Sequence, residues 1–319
     1  MRCDELRQPI VQLYLPIAEI PVNIFVIFGM GGAVGFLSGL FGIGGGFLLT
    51  PLLIFSGIPP AVSVATVTTQ VVASSASAVI SYWRRKAIDF KLAIMLLVGG
   101  VSGSSVGVML FDLLQSLGQL DLVISLSYVT FLGTIGGLML FESIRAIRRR
   151  KTGAKITARR PGQHNWIHGL PFKMRFRQSK LYVSVIPVLG LGAIIGFLGT
   201  VLGIGGGFMM VPALIYLLRV PTSVVIGTSL FQILFTMSSA TVLHAASTQT
   251  VDIVLALTLM VGGVIGAQFG ARMGQNLRGD QLRLLLALLV LGVGLRFAID
   301  LLLTPKDLYS IAIITGAGS

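Results

Sequence analysis

Long apolar runs separated by short polar breaks fill most of this chain, and they fall into two similar sets. The first set has an apolar run at about 22–41, a short arm at about 47–56, and runs near 61–83, 90–111 and 122–143. The second set repeats that order at about 183–202, 208–218, 222–244, 253–271 and 283–303. The longer runs approach the ~20 residues a helix needs to cross a hydrocarbon core. The arms have about ten residues, roughly 15 Å at 1.5 Å per residue, which is half that thickness. In both sets a glycine cluster separates the first run from the arm. The sequence GIGGGF stands at 42–47 and again at 203–208. Residues 35–51 match 196–212 at 10 of 17 positions, and 89–107 match 252–270 at 10 of 19. This pattern predicts an all-α polytopic membrane protein of two repeats. Each repeat is a glycine-broken helical hairpin followed by three transmembrane helices.

Composition agrees. The 319 residues are 54% hydrophobic and only 11% charged, where a soluble domain carries about 25% charged residues. The net charge of +13 comes mostly from residues 145–180, which hold twelve Lys/Arg and no acidic residue. A cytoplasmic loop obeying the positive-inside rule explains that excess. Nucleic acid is therefore not an expected partner, whereas membrane lipids with anionic headgroups are. The predicted organisation is an extracytoplasmic or interfacial segment at 1–21, repeat 1 at 22–144, a basic cytoplasmic loop at 145–181, repeat 2 at 182–304 and an extracytoplasmic tail at 305–319. Cys3 is the only cysteine, which excludes an intrachain disulfide framework and a cysteine-based metal site. The first 23 residues mix charges and prolines and do not read as a cleavable signal.

The charges also orient the spans. The loop after the first three-span helix carries Arg84, Arg85, Lys86 and Lys91, while its partner at 245–250 carries none. The next loop reverses this: 111–121 has no basic residue and its partner holds Arg272, Arg278 and Arg283. Equivalent loops then lie on opposite faces, so the repeats are expected to have inverted topology, with both termini extracytoplasmic. Arg296, deep in the last span, is expected to pair with Asp300 four residues on.

Helix breaks inside a membrane are tolerated where they are buried in protein or line a polar cavity. Gly44, Gly45 and Gly46, and Gly205, Gly206 and Gly207, each immediately precede a helix start. Such a start presents unpaired N–H groups and the positive end of the helix dipole, a setting suited to an anion. The following spans carry matching polar residues: Thr66, Thr69 and Gln70, then Thr228, Ser229 and Gln232. Together these form the candidate substrate-binding set, with interhelical hydrogen bonding as the other reading of the polar six. Gly99, Gly103 and Gly107, and Gly262, Gly266 and Gly270, run at four-residue spacing and read as helix contact faces. Asp89 and Asp252 begin their spans and read as caps. His244 reads as an interfacial histidine near a span end. No HExxH, Walker-type loop, GxSxG or paired carboxylate appears, so no enzyme, cofactor or metal is expected.

At these residues the chain resembles the TauE/SafE family of sulfite exporters and related anion permeases. The resemblance rests on the paired GIGGGF…P segments, on IPPAVSVATVTTQ and VPTSVVIGTSLFQ, on VDIVLALTLMVGGVIGAQFG, and on the entry segment YLPIAEIPVN. It covers about residues 10–305. It implies a secondary transporter of sulfite, organosulfonates or other small sulfur-containing anions, usually an exporter, in a bacterial cell (inner) membrane. The alternatives are a passive anion channel and a membrane scaffold that transports nothing. A homo-oligomer stays open.

Overall fold

The computed structural model describes residues 12–41, 45–151, 173–176, 179, 181–218, 220, 222–274 and 279–302. Each repeat opens with a β-hairpin that the apolar pattern did not announce. β1 (Gln12–Leu15) pairs antiparallel with β2 (Ile20–Asn23), with Leu13 opposite Val22. β3 (Lys173–Phe176) pairs with β4 (Leu181–Ser184), with Met174 opposite Val183. Four-residue strands allow only two alternations, too few to register against long apolar runs. The second hairpin begins within the segment expected to be a loop at 145–181 and ends in the first residues of repeat 2.

Each hairpin leads straight into the first helix of its repeat, and a polar side chain marks the junction. Asn23 Oδ1 accepts a 2.9 Å bond from the Phe25 N–H and starts α1 (Ile24–Phe41). Ser184 Oγ accepts a 3.3 Å bond from the Ile186 N–H and starts α6 (Val185–Leu202). The short arms are α2 (Gly46–Phe55) and α7 (Gly207–Tyr216), ten residues each. The remaining helices are α3 (Pro60–Arg84), α4 (Phe90–Ser116), α5 (Leu120–Lys151), α8 (Thr222–Ser247), α9 (Ile253–Gly274) and α10 (Gly279–Leu302). Among the described residues, seven helices are long and apolar enough to cross a membrane: α3, α4, α5, α6, α8, α9 and α10. Large apolar side chains such as Met109, Leu138, Phe141 and Phe269 face outward, as lipid-facing positions require.

The repeats interlock rather than sit side by side. α1 packs along α9, and α6 packs along α4, so each first helix lies on the other repeat's helix. α3 and α8 meet at the centre, and α5 pairs with α10. The glycine faces make the cross-repeat contacts possible. A Cβ on Gly103 would stand 2.0 Å from the Ala193 carbonyl oxygen, and one on Gly266 would stand 2.0 Å from that of Gly32. Only glycine lets the backbones approach this closely.

Candidate functional site

The glycine breaks turn the chain back into the middle of the bundle. α6 stops at Leu202, and Gly203, Gly205 and Gly206 then take positive φ of 66°, 74° and 74°. Residues with a Cβ are strained in that region. The turn returns Gly206 to the level of Ile195, midway along α6: a Cβ there would lie 2.7 Å from Ile195 Cγ2. In the first repeat a Cβ on Gly45 would lie 3.1 Å from Val34 Cγ1, and Val34 is the counterpart of Ile195. Gly44 lies outside the described residues.

The two breaks touch. A Cβ on Gly46 would stand 2.7 Å from the Gly203 carbonyl oxygen and 2.8 Å from that of Ile204. The Thr50 hydroxyl lies between them, 3.4 Å from both the Gly46 and the Gly203 oxygens. Phe47 and Phe208, which follow the glycines, stack with ring centroids 4.8 Å apart and planes at 14°. Val71 of α3 fills the remaining gap, its methyls 2.8 Å from a Cβ on Gly46 and 2.6 Å from one on Gly205. Thr50 and the Phe pair are absent from the sequence-derived set. Thr50 carried a signal, since it is the one hydroxyl in an otherwise apolar arm.

α2 and α7 therefore begin beside one another. Their first local backbone bonds run from Leu48 to Gly45, 3.3 Å, and from Met209 to Gly206, 3.2 Å. The N–H groups of Gly46, Phe47, Gly207 and Phe208 stand ahead of those bonds, where helix starts carry orphan donors and positive potential.

Gln70 and Gln232 stand at the same level. Gln70 Nε2 would be 2.5 Å from a Cβ on Gly263, and Gln232 Nε2 2.5 Å from one on Gly100. Gly263 and Gly100 in turn pack against Gly35 and Gly196, next to Val34 and Ile195. The Oε1 atoms of both glutamines and the hydroxyls of Thr69 and Ser229 are buried with no hydrogen-bond partner among the described residues. Buried polar groups are nearly always paired, so such a cluster requires an explanation.

Thr66 and Thr228 bond the backbone at helix starts. Thr66 Oγ1 accepts the Asp252 N–H at 3.1 Å, and Thr228 Oγ1 accepts the Asp89 N–H at 3.1 Å. Each thus ties α3 or α8 to the start of the other repeat's helix. The aspartates extend the clasp. Asp89 accepts from the Leu92 N–H, capping α4, and from the Ser179 N–H at 3.0 Å and hydroxyl at 2.8 Å. Asp252 accepts from the N–H groups of Val254 and Leu255, and from that of Ile17 at 3.1 Å. Ser179 and Ile17 lie in the turns of the two β-hairpins. Each hairpin is therefore tied to the aspartate that starts a helix of the opposite repeat.

Two further contacts brace the second break. The Tyr128 hydroxyl of α5 donates to the Leu202 carbonyl, the last of α6. Tyr128 also stacks on Phe297, whose neighbour Arg296 lies 3.8 Å from Asp300 and 4.7 Å above the Phe55 ring.

Interlocked repeats, glycine-broken hairpins meeting inside the bundle and several membrane-spanning helices define a polytopic membrane transporter. The chain matches the family described as Sulfite exporter TauE/SafE over residues 27–297, and it belongs to that family. It is 28% identical to the probable membrane transporter protein YjnA of Bacillus subtilis (strain 168), over 84% of this chain and 96% of that protein. It is 34% identical to a probable membrane transporter protein of Xylella fastidiosa (strain 9a5c), over 78% of this chain and 84% of that one. A shorter match, 32% over 37% of this chain and 25% of the relative, is to sulfite exporter TauE/SafE family protein 3 of Arabidopsis thaliana. No solved structure matches significantly.

Proposed function

We propose that this protein is a secondary transporter, in the export direction, of small sulfur-containing oxyanions such as sulfite or organosulfonates across a bacterial inner membrane. The carrying observation is the meeting of the two glycine breaks, which brings two helix starts together; the buried, unpartnered polar atoms of Thr69, Gln70, Ser229 and Gln232 support the reading. Helix N–H groups supply positive potential without a fixed charge, so an anion can be held and still depart. The Thr69 and Ser229 hydroxyls can donate directly. The glutamines present N–H groups after a half-turn of the amide, which for Gln232 reverses its 2.9 Å bond to Thr236, the hydroxyl then donating to Oε1. Gly45, Gly46, Gly205, Gly206 and Gly207 shape the cradle, with Gly44 assigned to it from the sequence. Thr66 and Thr228 position the helices that carry it.

Inverted topology of the two repeats is part of this reading. Its support is the reciprocal packing, in which every contact of α1 or α3 with α9 has a counterpart of α6 or α8 with α4. Two inverted halves can rock around a fixed central site to expose it alternately. The name sulfite exporter carried by the family suggests the substrate class.

The test is flux of radiolabelled sulfite into proteoliposomes containing the purified chain. Saturable uptake, competed by sulfonates and absent from empty liposomes, is the expected result. Unsaturable current would indicate a channel, and no flux of any sulfur oxyanion would indicate a scaffold.

A further inference from the structure

His244 and Thr200 form a second polar cluster that the anion cradle does not use. His244 lies in the last turn of α8, where a span end would be expected to face the interface, yet it is fully buried. Its ring packs edge-on against Phe111 of α4, with centroids 4.7 Å apart. Thr200, in the last turn of α6, rests on the same stretch of α4: a Cβ on Gly107, one turn before Phe111, would lie 3.3 Å from Thr200 Cβ. The Thr200 backbone carbonyl lies beside the imidazole. His244 Nε2 and Thr200 Oγ1 are both buried and both lack a hydrogen-bond partner among the described residues.

The other ring nitrogen has a defined setting. Nδ1 is 3.5 Å from Thr248 Oγ1, which gives its own proton to the His244 carbonyl at 2.8 Å. The Thr248 hydroxyl thus faces Nδ1, and the Thr200 carbonyl is a further polar neighbour of the ring. Nε2 is buried, and among the described residues no side chain bonds to it. Thr248 is partly exposed and lies 2.8 Å from Thr250 Oγ1, so the ring borders the aqueous loop between α8 and α9.

Among the described residues, no charged side chain is in ion-pair contact with the ring. From α4, Asp112 follows Phe111 but is exposed. From the α8–α9 loop, the Asp252 oxygens are held by the Ile17, Val254 and Leu255 N–H groups. From α6 comes Thr200. The second repeat alone has this cluster, because Tyr82 and Gly39 stand at the matching positions of the first. Thr200 is also three residues from Gly203, whose carbonyl meets Gly46 at the cradle. A charge at His244 therefore acts on the last turn of the helix that leads into the break.

We propose that His244 is a proton-binding site coupled to anion movement: Nε2 takes up one proton as an anion occupies the glycine cradle and releases it as the anion leaves. This rests on the transport reading. No other bond forms or breaks. The imidazolium offsets the anion's charge, and the anion offsets the cost of a buried cation. Intramembrane ionisable groups commonly serve such relays.

The test uses the full chain in proteoliposomes with radiolabelled sulfite, after subtracting empty liposomes. Sulfite–sulfite exchange at equal pH is measured beside accumulation driven by an imposed pH gradient. His244→Gln cannot titrate but keeps a polar group near Nε2; His244→Asn keeps a polar group near Nδ1 and serves if the first variant does not fold. The expected result is exchange within about twofold of wild type with gradient-driven accumulation reduced at least tenfold, the coupling being lost while the cradle is kept. Accumulation within twofold of wild type overturns the proposal, as does an equal loss of exchange at unchanged melting temperature. Wild type with saturable exchange but no accumulation under the pH gradient also overturns it alone, whereas wild type without saturable exchange overturns the transport reading itself.

Discussion

Asp89 and Asp252 each do more than cap a helix. Each aspartate joins a helix start and a β-hairpin turn through its carboxylate and a threonine of the central helix pair through its backbone N–H. Charge-assisted bonds of this kind contribute about 1.5–3 kcal/mol when buried, and a lost cap costs about 1 kcal/mol. Asp89→Ala is expected to destabilise the protein by about 3 kcal/mol and to speed amide exchange in β4. Unchanged exchange in β4 would show that the hairpin is held by its apolar contacts alone, through buried Phe176 and Val183. The cap role of both aspartates was legible in the sequence because they precede apolar runs. Their link to Ser179 and Ile17 was not, since it joins residues 90 and 235 positions apart. Thr66 and Thr228 show the same limit. Their shared spacing with Gln70 and Gln232 marked them as a matched set. Only the fold shows that the threonines bond backbone at helix ends while the glutamine amides lie against Gly263 and Gly100 of the cross-repeat helix contacts.

At the scale of elements, the apolar runs placed every helix, because a membrane-spanning helix is defined by length and polarity alone, although α5 continues to Lys151, past the end expected near 143. The four strands escaped notice, being short and flanked by polar residues. The four-residue glycine spacings marked contact faces, but the sequence did not say that each face meets the other repeat. That crossing gives a sharp stability contrast. Gly103→Ala and Gly266→Ala each place a Cβ 2.0 Å from a backbone oxygen of a facing helix, and backbone cannot step aside as a side chain can. Each is expected to cost about 3 kcal/mol by overpacking. Gly29→Ala on α1 meets nothing within 4 Å and should be neutral or stabilising by about 0.5–1 kcal/mol. Thermal melts in detergent measure the contrast. Equal melting temperatures for the three variants would mean that the helix pairs are looser than their glycines imply.

The whole molecule is read as two interlocked halves of opposite orientation around one central site. With Cys3 replaced by serine, a cysteine at exposed Lys86 and one at exposed Gln249 report on the two faces. A membrane-impermeant maleimide applied to intact cells should label Gln249→Cys and should reach Lys86→Cys only after permeabilisation. Labelling of both from outside would contradict inverted topology. The central claim, that the meeting breaks and their unpartnered hydroxyls form one anion site, is tested most directly by sulfite flux through the Thr69→Val, Ser229→Ala double variant. Both substitutions remove a buried donor while nearly preserving shape, so the fold should survive. The account predicts a melting temperature at or above wild type and saturable flux at least tenfold lower; wild-type flux from a folded double variant would contradict it.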